Sequence, residues 1–282
     1  MPDPQKLLKT LELARCKILQ TAGRSGHFLE PQKVDDIFVV GDLHGNVSNF
    51  QAIYKKIELD KHPGRHLVLQ ELIHGVFRYP QGGDKSHQLV DLFATLKCCF
   101  PDRVHYLIGN HELAQWTGKE ILKNEEDLNR LFDRGIEEAY RDYATEIRTA
   151  YNSLFAICPL GIRLPNRVYI CHTLPSTRRM EQFSLDFVKQ EEFQPEDFQT
   201  GGKVYANLWG RDTTAENAAE FLKRVDADYL VCGHIPCEKG YEFLCERLVV
   251  LDCAKVPGGY VHIHASTNYS PSTFTSIAFV IS

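Results

Sequence analysis

The chain has 282 residues, of which 43% are hydrophobic and 24% charged, and its formal net charge at pH 7 is −5. This size and apolar content allow one large domain with a sizeable buried core. An acidic balance without a dense basic tract argues against a nucleic-acid partner, and no apolar run is long enough to span a membrane. The first residues lack the apolar core of a signal peptide, and the nine cysteines suggest no disulfide framework, so we expect a cytoplasmic protein with reduced thiols.

The first 110 residues alternate between helical and strand patterns. Leucines and isoleucines at helical spacing predict an amphipathic helix over residues 4–22. Short β-branched runs predict buried strands at 37–41, 66–70 and 104–109. Helical patterns at 47–57 and 87–100 separate these strands, and a loop rich in Gly and Pro occupies 75–86. This alternation indicates βαβ units and a mainly parallel sheet.

The remaining residues predict more helices and further strands. Residues 112–157 are charged, nearly free of Gly and Pro, and helical in pattern. Later strands are predicted at 167–171, 228–233 and 247–253. A helix is predicted at 214–225, and residues 260–267 and 274–281 alternate like antiparallel strands. The sequence contains no internal repeat and no clear linker, so we expect one domain.

Polar residues that can bind metals follow four of the predicted strands. They are Asp42, His44, Asn110, His111, His172 and His234. Asp42 and His44 are one residue apart, so both side chains can point the same way from the end of a strand. Open α/β sheets place their ligands beyond the carboxyl ends of the strands. A mixed set of oxygen and nitrogen ligands suits Mn²⁺, Fe or Zn²⁺, and it exceeds the needs of one catalytic ion, so two divalent ions are predicted.

Each of these motifs also has a purely structural interpretation. A histidine at a strand end most often makes a structural hydrogen bond, and GNHE at 109–112 is a plausible turn and helix start. A different metal site, made of Cys232, His234 and Cys237, would be a zinc site, although no second ligand pair at zinc-finger spacing accompanies it. Cys171 and Cys232 each precede a candidate ligand, so their side chains should face the core.

The motifs GDLHG, GNHE, CHTLPS, LWGRD and CGHIP occur in this order between about residues 36 and 255. Together they resemble the calcineurin-like metallophosphoesterases, and most of all their serine/threonine phosphoprotein phosphatase branch. The resemblance implies an α/β fold in which a sandwich of two mixed β-sheets is flanked by α-helices. It also divides the chain into a helical N-terminal extension, 1–33, and a metallophosphoesterase domain, 34–282.

The resemblance assigns the ligands of two metals and the catalytic acid. Asp42 and His44 match the ligands of the first metal. The ligands of the second metal match Asn110, His172 and His234. His111 matches the general acid that protonates the leaving oxygen.

The chain departs from the family pattern between these motifs, in LVLQELIHG at 67–75. Glu71 stands where the family has the aspartate that bridges the metals, and it retains a carboxylate on a stem one methylene longer. His74 replaces the second aspartate, which in the family supports the charged form of the catalytic histidine. We expect His74 to contact His111 and to lower the pKa of His111. Asp84, in the loop that follows, is a second candidate for supporting His111.

Two phosphate-binding arginines of the family are also replaced, by Ile108 and Gly75. Because phosphate oxygens need fork-like donors, we expect Arg211 in LWGRD to bind the substrate. Three other arginines are weaker candidates, and each has a plausible role as a solvated surface residue. They are Arg78, Arg178 and Arg179.

These residues lead to a dinuclear metal-dependent phosphoesterase as the main hypothesis. It would hydrolyse phosphomonoesters, of a small molecule or a phosphoprotein, by direct attack of a metal-bridging hydroxide. One alternative is a dinucleoside polyphosphate hydrolase, because related enzymes share this core. The other is a non-catalytic metal-binding protein descended from a phosphatase, which Glu71, His74 and Ile108 favour.

Overall fold

The computed structural model describes residues 3–281. The α-helices are α1 Pro4–Leu19, α2 Val47–Ile57, α3 His87–Cys99, α4 Asn110–Thr117, α5 Leu128–Tyr140, α6 Ala144–Phe155, α7 Leu185–Val188, α8 Lys203–Trp209, α9 Ala215–Arg224 and α10 Pro271–Phe274. The strands are β1 Arg24–Ser25, β2 Phe28–Leu29, β3 Asp36–Val40, β4 Arg65–Gln70, β5 Val104–Leu107, β6 Leu122–Lys123, β7 Glu126–Asp127, β8 Gly161–Arg163, β9 Val168–Cys171, β10 Tyr229–Cys232, β11 Tyr241–Cys245, β12 Leu248–Leu251, β13 Gly258–His264 and β14 Ala278–Ile281.

Two mixed sheets form the centre of the molecule. The five-stranded sheet has the order β14-β13-β3-β4-β5, and its β3, β4 and β5 run parallel. The seven-stranded sheet has the order β1-β2-β8-β9-β10-β12-β11, in which β9, β10 and β12 run parallel. The predicted sandwich of mixed sheets and the parallel βαβ units are therefore confirmed.

The apolar runs of the central strands bury both of their faces. In β3, Ile37 and Val39 belong to an apolar cluster that also includes residues of the seven-stranded sheet, such as Val231 of β10. The alternate residues Phe38 and Val40 belong to the cluster that contains the helices. Strands covered on both faces read as continuous apolar runs rather than as an alternation. This is why the strands that carry the site could be recognised in the sequence.

Residues 3–33 pack against the rest of the molecule through both a helix and a strand. Helix α1 packs against α3 and α6, and β2 pairs with β8 through Phe28 and Gly161. Helix α1 ends at Leu19, before the predicted end at residue 22. The division at residue 33 stays a prediction, and its outer limits, Met1, Pro2 and Ser282, lie outside the described residues.

The carboxyl-terminal strand is shorter than predicted. Residues 274–281 were expected to form one strand, but Phe274 ends α10 and only Ala278–Ile281 is extended. Pro271 is at the start of α10, and Ser270 caps the helix by accepting from the backbone N–H of Thr273 at 3.3 Å. A capped start with proline at the first position favours a helical turn. None of the helices between residues 3 and 281 is long and apolar enough to cross a bilayer.

Candidate metal centre

Asp42 and His44 lie in the turn between β3 and α2, at the carboxyl end of the five-stranded sheet. His44 has φ 41° and Gly45 has φ 74°, so the chain turns sharply here. The backbone N–H of His44 donates to the carbonyl of Glu71 at 2.9 Å, which joins this turn to the end of β4. The Nδ1 of His44 donates to the carbonyl of Ile73 at 2.9 Å. Because a carbonyl only accepts, Nε2 of the neutral ring keeps its lone pair for a cation.

Glu71 is buried between two groups of candidate ligands. Its Oε1 accepts the backbone N–H of His111 at 2.9 Å. Its Oε2 lies 3.6 Å from Nε2 of His44 and 3.4 Å from Nε2 of His172. The longer stem fits because Gly109 has no side chain, and a Cβ at that position would overlap Oε1 of Glu71. The carboxylate therefore lies between His44 on one side and His172 on the other.

The second group of candidate ligands converges from three loops. The Oδ1 of Asn110 lies 3.0 Å from Nε2 of His172 and 2.8 Å from Nδ1 of His234, and the two histidine nitrogens are 3.1 Å apart. The other ring nitrogens, Nδ1 of His172 and Nε2 of His234, point away from this convergence and are buried without a hydrogen-bond partner in the described residues. One amide oxygen and two imidazole nitrogens that converge at these distances fit a bound cation.

The electrostatics of these residues also fit a cation. Burial, and then the neighbouring Asp252 carboxylate, raises the pKa of Asp42 well above its ordinary value, although the backbone N–H of His234 opposes this. Burial, and then the Asp42 carboxylate, raises the pKa of Glu71 in the same way. Burial lowers the pKa of His172, and lowers that of His234 to about 3. Two carboxylates that repel each other among neutral imidazoles form a site that divalent cations would stabilise.

The possible ligand atoms form two groups that share the Glu71 carboxylate. Within each group, the ligand atoms all lie within 4.8 Å of one another. The groups are His44 with Glu71 and His111, and Glu71 with His172 and His234. Asp42 lies beside the second group, with Oδ1 3.7 Å from Nδ1 of His172. The structure thus brings together all six predicted metal ligands and the predicted acid His111.

His74 contacts His111, as the sequence predicts. Their Nδ1 atoms are 2.9 Å apart, and Nε2 of His74 lies 3.1 Å from Oε1 of Gln115. Burial lowers the pKa of His74 to about 3. Burial, and then the neighbouring histidines, lowers the pKa of His111 well below its ordinary value, which is the direction expected when an imidazole replaces the aspartate.

Arg211 is the arginine best placed for a phosphate among those predicted. It follows α8 and is exposed, and within residues 3–281 its side chain makes no hydrogen bond or ion pair. It lies near enough to His172 and His234 for its charge to contribute to the lowered pKa of each, after burial. Arg178 is also exposed, but no such effect links it to the site.

The other two arginines and Asp84 hold loops in place. Arg78 lies 3.5 Å from Asp84 and donates to the carbonyl of Gly75, and Arg179 donates to the carbonyl of Gly201 at 3.0 Å. Asp84 accepts the backbone N–H of Gly75 at 3.0 Å and so fixes the loop instead of supporting His111. The candidate that contacts His111 is therefore His74 and not Asp84.

The cysteines near His234 do not gather into a zinc site. Cys232 is buried with its Sγ 3.8 Å from that of Cys171, which places both in the core as predicted. The Sγ of Cys237 faces the carbonyl of Ile235 at 3.3 Å. Neither Cys232 nor Cys237 belongs to a group of possible metal ligands in the described residues.

Four polar residues around the site have no counterpart in the sequence predictions. Glu112 accepts the backbone N–H of Leu72 at 2.9 Å and so holds the loop that carries Glu71. Gln115 contacts His74, and Asp133 accepts from Gln115 at 2.9 Å. Burial lowers the pKa of His44, and the charge of Lys123, on the hairpin of β6 and β7, lowers it further. Only Gln115 had a usable signal, because residues four apart share a helix face and it follows His111 by four.

Comparisons with known proteins agree with this fold. A family model described as calcineurin-like phosphoesterase matches residues 36–238. The structure is similar to that of a protein serine/threonine phosphatase from Saccharomyces cerevisiae with similarity to human phosphatase PP5, with TM-score 0.71, 16% identity, and coverage of 99% of this chain and 89% of that one. It is also similar to the cold-active protein-tyrosine phosphatase of a psychrophile Shewanella species, with TM-score 0.60, 14% identity, and coverage of 89% and 80%. At these identities the two structures show a shared fold. The family match spans more than half of the sequence, so the chain belongs to the calcineurin-like phosphoesterase family.

Proposed function

We propose that this chain is a phosphatase that uses two divalent metal ions to hydrolyse phosphomonoesters. The observation that carries the proposal is the Glu71 carboxylate, whose Oε2 lies between Nε2 of His44 and Nε2 of His172 at 3.6 and 3.4 Å. Family membership supports phosphoester hydrolysis in general. The number of ions, the residue roles and the substrate are parts of the proposal.

The proposed ligands divide between the two ions. Asp42 and His44 would hold the first ion. Asn110, His172 and His234 would hold the second ion, and Glu71 would touch both. The mixture of carboxylate, amide and imidazole suits Mn²⁺, Fe or Zn²⁺. When bound, two such ions polarise the phosphate and lower the pKa of the attacking water.

The side chains around the ions orient the substrate and supply a proton. Arg211 can bind phosphate oxygens through its guanidinium, because no residue described in the structure engages it. His111 would protonate the oxygen of the leaving group through Nε2, since its Nδ1 contacts His74. The backbone N–H of His111 donates to Glu71, so the acid is fixed relative to the bridging carboxylate.

A non-catalytic metal-binding protein is the second candidate function, and one observation favours it. His74 stands where the family has a carboxylate, and its pKa of about 3 keeps it uncharged. A neutral imidazole supports a charged His111 less well than an aspartate does. Against this, Arg211 and Nε2 of His111, which have no hydrogen-bond partner among the described residues, would have no role in a protein that only binds metal.

Metal content and turnover together test the proposal. The full chain is stripped with a chelator, loaded with Mn²⁺, and analysed for metal, and hydrolysis of p-nitrophenyl phosphate and of a phosphoserine peptide is then measured. We expect two ions per chain and turnover of both substrates. Glu71→Gln removes the charge of the bridge and should lower both occupancy and turnover.

Cys237→Ser is the matched control, because it changes a buried residue near His234 that we do not place at the site. It should leave metal content unchanged. One ion per chain, or loss of metal in this variant, would contradict the proposal. Two ions with no turnover of either substrate would instead support the metal-binding protein, and turnover of a dinucleoside polyphosphate alone would change the substrate class.

A further inference from the structure

A continuous chain of hydrogen bonds leads from His111 to the surface between α4 and α5. The Nδ1 of His111 meets Nδ1 of His74 at 2.9 Å, and Nε2 of His74 meets Oε1 of Gln115 at 3.1 Å. The Nε2 of Gln115 donates to Oδ1 of Asp133 at 2.9 Å, and Oδ2 of Asp133 accepts from Arg148 at 2.8 Å. We call the first four residues the histidine chain.

Asp133 determines which atom donates and which accepts in each hydrogen bond of the histidine chain, and we call this order the direction of the chain. A carboxylate paired with an arginine can only accept hydrogen bonds, so Gln115 must turn its amide nitrogen toward Asp133. The carbonyl oxygen of Gln115 therefore faces His74. Because this oxygen also only accepts, Nε2 of His74 must carry the proton of the neutral ring. The Nδ1 of His74 is then the acceptor, and Nδ1 of His111 is the donor.

This direction is the one that a proton-donating His111 needs. A charged imidazole carries protons on both nitrogens, so its neighbour has to accept at Nδ1. If Gln115 were reversed, His74 would present an N–H to His111, and two donors would oppose each other. With the observed order, Nε2 of His111 can hold a proton and release it toward a leaving oxygen. The neutral His74 can accept the hydrogen bond from Nδ1 of His111 only while its own proton stays on Nε2, facing Gln115.

We propose that Gln115 and Asp133 are positioning residues that fix the tautomer of His74 and thereby keep His111 oriented as a proton donor. Asp133 acts through two intervening side chains and touches no substrate. Outer partners of this kind fix the tautomer of a histidine in other sites. The part of the proposal that concerns proton donation rests on the proposed function, whereas the part that concerns the tautomer does not.

A bond network between two helices can also serve packing alone. Gln115 is buried with 6% exposure, and the contact joins α4 to α5. A packing role predicts that any side chain of similar shape at position 133 preserves the site. A directing role predicts that Asp133→Asn disturbs it, because the asparagine amide can donate to Gln115 and allows its reversal. The two side chains have nearly the same shape, so the variant separates direction from packing.

The test compares Asp133→Asn and Gln115→Leu with the unaltered chain and with Glu137→Gln. Glu137 is exposed on the same helix α5, so its variant makes the same change of charge away from the histidine chain. Nitrogen-15 NMR of histidine-labelled, metal-free protein reports which ring nitrogen of His74 carries the proton. The Mn²⁺-loaded proteins are then assayed for kcat on an alkyl phosphate and on p-nitrophenyl phosphate.

We expect a single tautomer, protonated at Nε2 of His74, in the unaltered chain and in Glu137→Gln. In Asp133→Asn we expect a mixture of tautomers and a loss in kcat of about 10- to 100-fold on the alkyl phosphate, the usual cost of losing an outer partner. The loss on p-nitrophenyl phosphate, whose leaving group needs no proton, should be much smaller. Gln115→Leu should give the same pattern.

An unchanged tautomer in Asp133→Asn would overturn the proposal, and so would equal losses on the two substrates. If the unaltered, metal-loaded chain hydrolyses neither phosphate, the proposed function fails, while the NMR result still decides whether Asp133 sets the tautomer. The two failures are therefore distinguishable.

Discussion

The Oε1 atom of Glu71 accepts the backbone N–H of His111 at 2.9 Å. This bond ties the proposed bridging carboxylate to the first turn of α4, the helix that carries the proposed acid. The other oxygen of Glu71 faces His44 and His172. One side chain thus contacts both the proposed metal ligands and the backbone of the proposed acid, so a change in its length or charge should affect the two together.

The first prediction concerns the length of residue 71. Glu71→Asp restores the residue type of the family but withdraws the carboxylate by one methylene from the space that Gly109 leaves open. We expect lower occupancy of both metal positions and weaker turnover, with a smaller loss than in Glu71→Gln, which has no charge. Metal analysis after dialysis against a graded series of chelator concentrations measures this. Equal metal retention in all three proteins would show that residue 71 binds no ion.

The second prediction concerns the pH dependence of catalysis. The pKa of His111 is lowered by burial and by neighbouring histidines, and His74 brings no compensating negative charge. His74→Asp should stabilise the charged His111 and raise its pKa. A general acid works while it is protonated, so the limb where activity falls with rising pH should move to higher pH. A pH–rate series on both forms checks this, and profiles that coincide would mean that His74 does not act on His111.

The third prediction concerns the stability of the fold away from the site. The buried ammonium of Lys97 donates to Oγ1 of Thr21 at 2.8 Å and to the carbonyl of Val104 at 3.0 Å. Burial lowers the pKa of Lys97 from 10.5 to about 7. Between these two values the unfolded chain binds the additional proton, so the free energy of unfolding should rise with pH from about 7 to 10.5.

Lys97→Met removes this titration and should abolish that part of the rise. Denaturant unfolding at intervals from pH 7 to pH 10 measures it. Lys55→Met, on the exposed face of α2, is the control and should keep the slope of the unaltered chain. A slope that is the same in both variants would show that Lys97 titrates normally in the folded protein.

Sequence patterns predicted the elements that carry the site because their signals are local. The run from Ile37 to Val40 is apolar on both faces, and glycines mark the turn after it. The hairpin of β6 and β7 was missed inside a segment that otherwise forms helices. Its turn residues Asn124 and Glu125 both have positive φ, and only Asn has a known preference for that conformation.

Contacts between side chains of different elements were harder to predict. The family resemblance pointed to His74 as the neighbour of His111, but nothing in the sequence joined Gln115 to Asp133. Those two residues are 18 positions apart, and the helices that carry them, α4 and α5, both pack against α6. Their contact depends on the packing of several helices, which spacing in one sequence does not determine.

The fourth prediction concerns the arginine that replaces the missing phosphate ligands. The guanidinium of Arg211 has no partner among the described residues, and its charge contributes to the lowered pKa of His172 and of His234, after burial. Arg211→Ala should weaken binding of the phosphate and raise KM about 10-fold, as expected for the loss of a charge-assisted hydrogen bond. Arg211→Lys keeps the charge but loses the forked pair of donors, so its KM should lie between those of the unaltered chain and Arg211→Ala. Arg178→Ala, which removes an exposed arginine not linked to the site, is the control.

The last prediction separates His111 from the residue beside it. Asn110 is a proposed ligand, so Asn110→Ala should reduce metal occupancy and activity together. His111 is a proposed acid, so His111→Ala should keep both ions and lose turnover by roughly 10²- to 10⁴-fold, the usual contribution of a positioned acid. This separation matters because a nitrogen of His111 lies within 4.8 Å of the ligand atoms of His44 and Glu71, which makes His111 a possible metal ligand as well.

The leaving group distinguishes the two roles of His111. A p-nitrophenolate departs readily without a proton, whereas the alkyl oxygen of phosphoserine needs one. His111→Ala should therefore reduce kcat on a phosphoserine peptide far more than kcat on p-nitrophenyl phosphate. Metal analysis of the same preparations completes the comparison. If the variant loses an ion, or if both substrates lose the same factor, His111 is a ligand or a structural residue, and the proton for the leaving oxygen must come from another group.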